Sequence, residues 1–312
     1  MNNHQLLINT KIINFNLIIK ICLIIGVWLL ITPSAVQAQA ISLSITPPLL
    51  EITIKPGKEY RQVYGIINSG SDVVLTPKIL YFTPSDDFGN VDITTVEAPE
   101  WIKYNKEKFS LKSGSRRDFY ILIDVPEDAQ ETDHYLSLVF ESEAPTNTTN
   151  QIGTQYQTQI ASNILLTISK DGNPKKSAEI INFDTPQISD SFLFPITYSI
   201  TLANTGNSFW KPIGKIIAND QTLKLAEQNV ISGHKRQIKC VENEELVDCK
   251  LSKKPILGVL SSTLEFSIDD DPKIYTKEVK TYILPITPAF FIILILTLMR
   301  QKFIFKLWRR KK

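Results

Sequence analysis

No stretch between residues 41 and 281 keeps an apolar helical period through three turns. Short runs rich in Ile, Val, Thr, Tyr and Phe recur instead, closed by Gly, Pro, Asn or Asp. A chain patterned this way buries its apolar side chains by pairing strands, so an all-β body follows. The runs are Ile41 to Ile45, Leu49 to Ile54, Tyr60 to Ile67, Val73 to Phe82, Trp101 to Tyr104, Phe109 to Leu111, Asp118 to Val125, His134 to Glu141 and Gln157 to Ser169. Asp118 to Val125 is the most regular, with Phe119, Ile121, Ile123 and Val125 on one face. Runs of this number and spacing over roughly 130 residues are those of an antiparallel sandwich.

Asp171-Gly172-Asn173-Pro174-Lys175-Lys176 reads as a linker. A second set of runs follows it, from Ala178 to Leu284, which predicts a smaller sandwich. The fold class is therefore all-β, two immunoglobulin-like β-sandwich domains at 41–172 and 173–281. Cys240 and Cys249 lie in this second set, nearly symmetric about Glu244 and Glu245. A hairpin centred there places the two cysteines opposite each other, within bonding reach. A disulfide is expected, and it fits an oxidising compartment.

The two ends differ from the body. Lys11 and Lys20 precede the apolar run Ile21 to Ile31, which has the length of a signal-peptide core. Small residues then prepare cleavage after Ala38 or Ala40, so 1–40 is expected to leave the mature chain. At the other end Tyr282 to Met299 is uncharged, which predicts a single C-terminal transmembrane helix over 282–299. The basic tail 300–312 orients it with the tail cytoplasmic and the ectodomain outside. The chain carries 34 basic and 32 acidic residues, but the ends hold nine of the basic ones and no acidic one. The body, 41–284, is left with 25 basic and 32 acidic residues. An acidic body is not a nucleic-acid binder, which needs a clustered basic face.

Chemistry is thinly represented. Only His134 and His234 lie in the body, and neither stands near a nucleophile, zinc or phosphate-loop motif. No catalytic residue, metal ligand or cofactor site is assigned. The acidic clusters at Asp86-Asp87 and Asp269-Asp270-Asp271 have the oxygen ligands calcium needs, but lack its loop pattern and suit turns better. Residues 143–154 form a polar insert between two strong strands, read as mobile rather than as a recognition loop. Phe209 and Trp210 place large apolar area just after Asn204-Thr205-Gly206-Asn207 and are the candidate binding loop, with core filling as the other use of such residues.

Leu43-Ser44-Ile45-Thr46-Pro47-Pro48-Leu49-Leu50-Glu51-Ile52, Lys55-Pro56-Gly57 and Gly65-Ile66-Ile67-Asn68-Ser69-Gly70 resemble the start of the first domain of WxL-interacting bacterial surface proteins. Trp101-Ile102, Phe109 to Gly114, Val125 to Ala129, His134-Tyr135 and Ile200 to Asn207 continue the resemblance. It implies a peptidoglycan-binding first domain and a second domain that meets a protein partner. Cys240, Cys249 and the 143–154 insert depart from that pattern. The expected function is that of a non-catalytic, membrane-anchored surface protein binding cell-wall polymer or a surface protein. The alternatives are an anchored envelope hydrolase and an assembly chaperone that exchanges a strand at an open apolar edge of the first sandwich.

Overall fold

The computed structural model describes residues 42–143, 158–269 and 271–309, with side chains through Lys302. The expected cleavage site at Ala38 and Ala40, Asp270, and all of the 143–154 insert except Glu143 lie outside the described residues. Residues 41–312 form one compact unit.

The first part comprises β1 (Leu43–Thr46), β2 (Leu49–Ile54), β3 (Glu59–Asn68), β4 (Val73–Pro84), β5 (Val91–Glu97), β6 (Ile102–Tyr104), β7 (Phe109–Leu111), β8 (Arg116–Asp124), β9 (Asp133–Ser142) and β10 (Gln159–Ile168). One sheet runs β1-β3-β8-β6; the other runs β2-β10-β9-β4-β5, with β7 also beside β4. Pro47 and Pro48 carry no amide to donate, so the strand cannot continue through them and the chain changes sheets there. Alternation then sends Tyr64, Ile66, Phe119, Ile121 and Ile123 inward from one sheet, and Ile79, Leu136, Leu138, Phe140, Ile164 and Leu166 inward from the other. Phe119 and Phe140 meet edge to face at 5.1 Å between centroids.

The second part comprises β11 (Ala178–Asp184), β12 (Ile188–Asp190), β13 (Ile196–Thr197), β14 (Ser199–Asn204), β15 (Pro212–Ala218), β16 (Gln221–Lys224), β17 (Lys235–Gln237), β18 (Cys240–Glu242), β19 (Glu245–Val247), β20 (Lys250–Leu251), β21 (Gly258–Ile268) and β22 (Tyr275–Leu284). Its main sheets are β11-β14-β17 and β12-β22-β21-β15-β16. β15 lies so close to β21 that a Cβ on Gly214 would stand 2.2 Å from the Glu265 carbonyl oxygen, so only glycine fits. Trp210 belongs to this core rather than to a binding loop. It is 1% exposed, stacks on Phe266 and donates its indole N–H to the Ser177 carbonyl at 3.1 Å.

Cys240 and Cys249 are bonded, with Cα atoms 5.0 Å apart. The hairpin register differs from expectation: Cys240 faces Val247, not Cys249. Asn243 and Glu244 both take positive φ, 50° and 68°, as a two-residue turn of the type I′ class requires. That centres the turn one residue earlier, and the disulfide reaches Cys249 just past the end of β19.

The expected transmembrane helix is also corrected. β22 holds Tyr282 to Leu284 in the sheet, paired with β12 and β21. The helix, α1, runs Ile286–Arg309. Its uncharged part, Ile286 to Met299, is 14 residues long. At a rise of about 1.5 Å per residue this covers roughly 21 Å, against the ~30 Å of a hydrocarbon core. Among the described residues no helix is long and apolar enough to cross a membrane.

Replacing Cys240 and Cys249 together by serine should lower the stability of the second part by about 2–3 kcal/mol, the loop-closure value for a short loop. Urea unfolding under oxidising conditions checks this; an unchanged midpoint refutes it.

Candidate functional site

Two features of the first sandwich bear on function: its joint with the second, and one uncovered stretch of strand.

The joint is built on Asp133, the first residue of β9. Its Oδ2 accepts the Phe209 amide at 2.7 Å and the Tyr135 hydroxyl at 2.6 Å. Its Oδ1 accepts the Thr167 hydroxyl at 2.7 Å, and Thr167 lies 3.0 Å from the Ser208 hydroxyl. Tyr135 in turn accepts the Ser232 amide at 2.9 Å. Burial, reinforced by the Asp133 carboxylate, pushes the Tyr135 phenol above its ordinary range, so it stays a neutral donor. Phe209, half of the expected binding loop, thus contributes its amide to the joint. Glu51 of β2 adds an ion pair to Lys211 at 2.6 Å, with both side chains about 30% exposed.

A cleft of about 220 Å³ opens beside this joint. Its walls include Leu49, Asn163 and Leu165 from the first sandwich and Ile231 and Arg236 from the second. The loop from Pro84 to Asn90 forms its lip. Asp86 shapes that loop by accepting the amides of Phe88 and Asn90 and the Asn90 side chain. The Asn90 side chain, with those amides, holds its carboxyl below the usual range. Gly89 has φ +95°, and the Arg236 guanidinium lies against it where any Cβ would sit, 2.2 Å from Nη2. Arg236 donates through Nη1 to the Asn229 carbonyl at 2.8 Å, while Arg236 Nε and Asn229 Oδ1 are buried with no partner among the described residues. Burial lowers the Arg236 pKa, with the Asp86 charge opposing. Lys235 pairs with Asp87 at 3.1 Å.

The uncovered stretch lies on β10. β2 runs parallel to it only from Asn163 to Ile168. Before that, the Asn163 amide and the Ser162 hydroxyl reach the Pro48 and Pro47 carbonyls. Residues two apart on a strand point their amides the same way. Gln159 and Ala161 therefore face the side that β2 occupies lower down, and no strand stands opposite them among the described residues. Sequence reading did not separate this stretch from the rest of the strand, because coverage of an edge is a property of the neighbouring strand.

The histidines stand apart from each other. His134 is inside β9, with Nδ1 2.7 Å from the Tyr81 hydroxyl and its ring edge-on to Trp101 at 5.3 Å. Trp101 is thereby packed against the first core. His234 is exposed, with Nδ1 2.9 Å from the Ser232 carbonyl oxygen. The acidic turns are occupied locally: Asp269 accepts Lys176 at 2.6 Å and the Lys211 amide at 3.0 Å, and Asp271 accepts the Lys273 amide. Among the described residues no group of three or more His, Cys, Asp or Glu is placed to hold a metal ion.

No protein-family model matches the chain, and no curated protein matches it. Among solved structures the chain is similar to a chain of the chaperone–tip adhesin complex of CFA/I fimbriae, with TM-score 0.39, 11% identity, and coverage of 77% of this chain and 98% of that one. It is similar to the class 5 fimbriae chaperone CfaA, with TM-score 0.38, 12% identity, and coverage of 77% and 99%. It is also similar to the E. coli chaperone DraB, with TM-score 0.39, 10% identity, and coverage of 78% and 100%. TM-scores at this level carry no argument about what this chain does.

Asp133→Ala removes an ionised acceptor shared by three donors and should cost about 2–4 kcal/mol. Calorimetry should then show the two sandwiches melting separately; one unshifted transition refutes the joint. A second expectation concerns His134, whose pKa burial lowers against the opposing charge of Asp133. As pH falls through the ordinary value of about 6.5, the unfolded chain takes up the proton before the folded one does. This group therefore removes stability as pH drops from there toward its lower folded value. His134→Gln should lose less stability than the wild type between about pH 7 and pH 5, read by urea midpoints. An equal loss in both proteins refutes it.

Proposed function

We propose that the chain is an exported, non-catalytic binding protein that takes an extended polypeptide segment onto the open edge of β10, as a strand-exchanging assembly chaperone does. The observation that carries this is the mismatch between β2 and β10, which leaves Gln159 and Ala161 facing outward with no strand opposite them among the described residues. Strand addition needs such outward main-chain groups, with alternate side chains seated against the core. Here Ile160 packs on the first core between the two outward-facing residues. Two other exposed edges are blunted by charge in the usual way. β8 beyond β6 carries Arg116 and Asp118, and β22 beyond β12 carries Lys277, Glu278 and Lys280. The disulfide at Cys240 and Cys249 supports an oxidising, extracytoplasmic location.

Wall-polymer binding, the first expectation from sequence, has no described surface that favours it. The hydrolase alternative gains no support from His134, which is engaged with Tyr81 and Trp101 inside the first sandwich.

A photo-crosslinking residue at Ile160, exposed to envelope extract, should capture polypeptide that a protease removes and a glycan hydrolase does not. Ala161→Pro deletes one outward amide at an edge that tolerates proline and should cut capture about tenfold with little change in melting temperature. Capture of glycan, or undiminished capture by the proline variant, refutes the proposal.

A further inference from the structure

The free end of the second sandwich, where α1 emerges, presents apolar side chains from three separate segments. Phe192, Leu193 and Phe194 are 61%, 46% and 82% exposed. Ile256 and Leu257 are each 66% exposed, and Tyr282 is 54% exposed. These segments are far apart in sequence but cross-tied in space. Asp190 Oδ1 accepts the amides of Phe192 at 2.7 Å and Leu193 at 2.9 Å, while Oδ2 accepts the Thr287 amide in the first turn of α1 at 2.6 Å. Burial opposes ionisation of Asp190, but the amides of Leu193, Phe192 and Thr287 outweigh it and hold the carboxyl well below its usual range. Lys254 collects the carbonyls of Asp190, Leu193 and Phe194, and the Ser191 hydroxyl bonds the Ile256 carbonyl. Phe194 itself takes φ +37°, a conformation L-residues adopt reluctantly. The backbone is thus held so that the large side chains point away from the core.

We infer that this rim is a lipid-binding collar that seats in the interfacial layer of an anionic membrane beside α1. Three observations select lipid over a protein partner. Every residue from Phe290 to Leu296 is between 41% and 62% exposed, so this stretch of α1 is apolar all round. A second copy or a single groove covers one stripe and leaves the rest in water, whereas lipid surrounds the helix. The collar is continuous with α1, separated from it by Pro285 alone. From Val279 to Lys312 the chain has no acidic residue and carries Lys280, Arg300, Lys302 and five further cations, complementary to anionic headgroups. The inference is independent of what β10 binds.

The test uses the full chain with Cys22→Ser and single cysteines in place of Phe194, Leu257, Ile295 or Phe88, each carrying an environment-sensitive fluorophore. On mixed phosphatidylcholine and phosphatidylglycerol vesicles, the labels at 194 and 257 should brighten several-fold. Spin-labelled lipid should quench them, and the label at 88 should not respond. Phe192→Ser combined with Phe194→Ser should lower vesicle partition at least about tenfold. Two outcomes overturn the collar. One is entry of the label at 295 while those at 194 and 257 stay in water. The other is shielding of 194 and 257 without vesicles, together with a doubled mass, which means a second copy covers them.

Discussion

The Asp133 carboxylate is the contact on which the arrangement of the two sandwiches rests. An ionised acceptor out of bulk water makes stronger hydrogen bonds than a neutral one, and it is costly to leave unpaired. Asp133 meets Tyr135 and Thr167 of its own sandwich and the Phe209 amide of the other. Phe209 adjoins Trp210, which is fixed in the second core. One carboxylate therefore ties β9 to the core of its neighbour. The cleft lined by Leu165, Ile231 and Arg236 opens beside that tie.

Asp190 repeats the device at the opposite end of the second sandwich, with a different result. There the carboxylate gathers amides and Lys254 gathers carbonyls. At the joint the polar ties lie beneath apolar walls. At the rim they lie behind apolar side chains that face outward. Polar groups satisfied within the backbone allow a loop to present Phe and Leu to an apolar environment without carrying unmet amides there.

Much of the fold was legible as alternation. β8 buries Phe119, Ile121 and Ile123 on one face as expected. β5 escaped notice because Val91-Asp92-Ile93-Thr94-Thr95-Val96-Glu97 lies at a sheet end with both faces largely wet, so no apolar face marks it. The apolar stretch from Leu193 to Leu202 is not one strand, because Phe194 turns to positive φ before β13 and β14 begin. The cysteine pairing was correct while its hairpin register was not. Symmetry of residue types locates a turn only roughly, whereas the φ values at Asn243 and Glu244 set it. Of the candidate sites, Phe209 and Trp210 looked alike in sequence and separated in space into a joint and a core.

What the sequence by itself determined was the all-β class, the two sandwiches, the disulfide partners and the charge asymmetry between body and tail. Each of these follows from local patterning, spacing or composition, which a chain carries before it folds. Only the tertiary structure decided which strand edge lacks a neighbour among the described residues, which carboxylate bridges the sandwiches, and where the last strand yields to helix. Those depend on what stands opposite a residue. β2 begins opposite Asn163 and not opposite Gln159, and β12 keeps Tyr282 to Leu284 in the sheet. Pairing of this kind joins residues over a hundred positions apart, as Ser162 and Pro47 are, so no local pattern can record it.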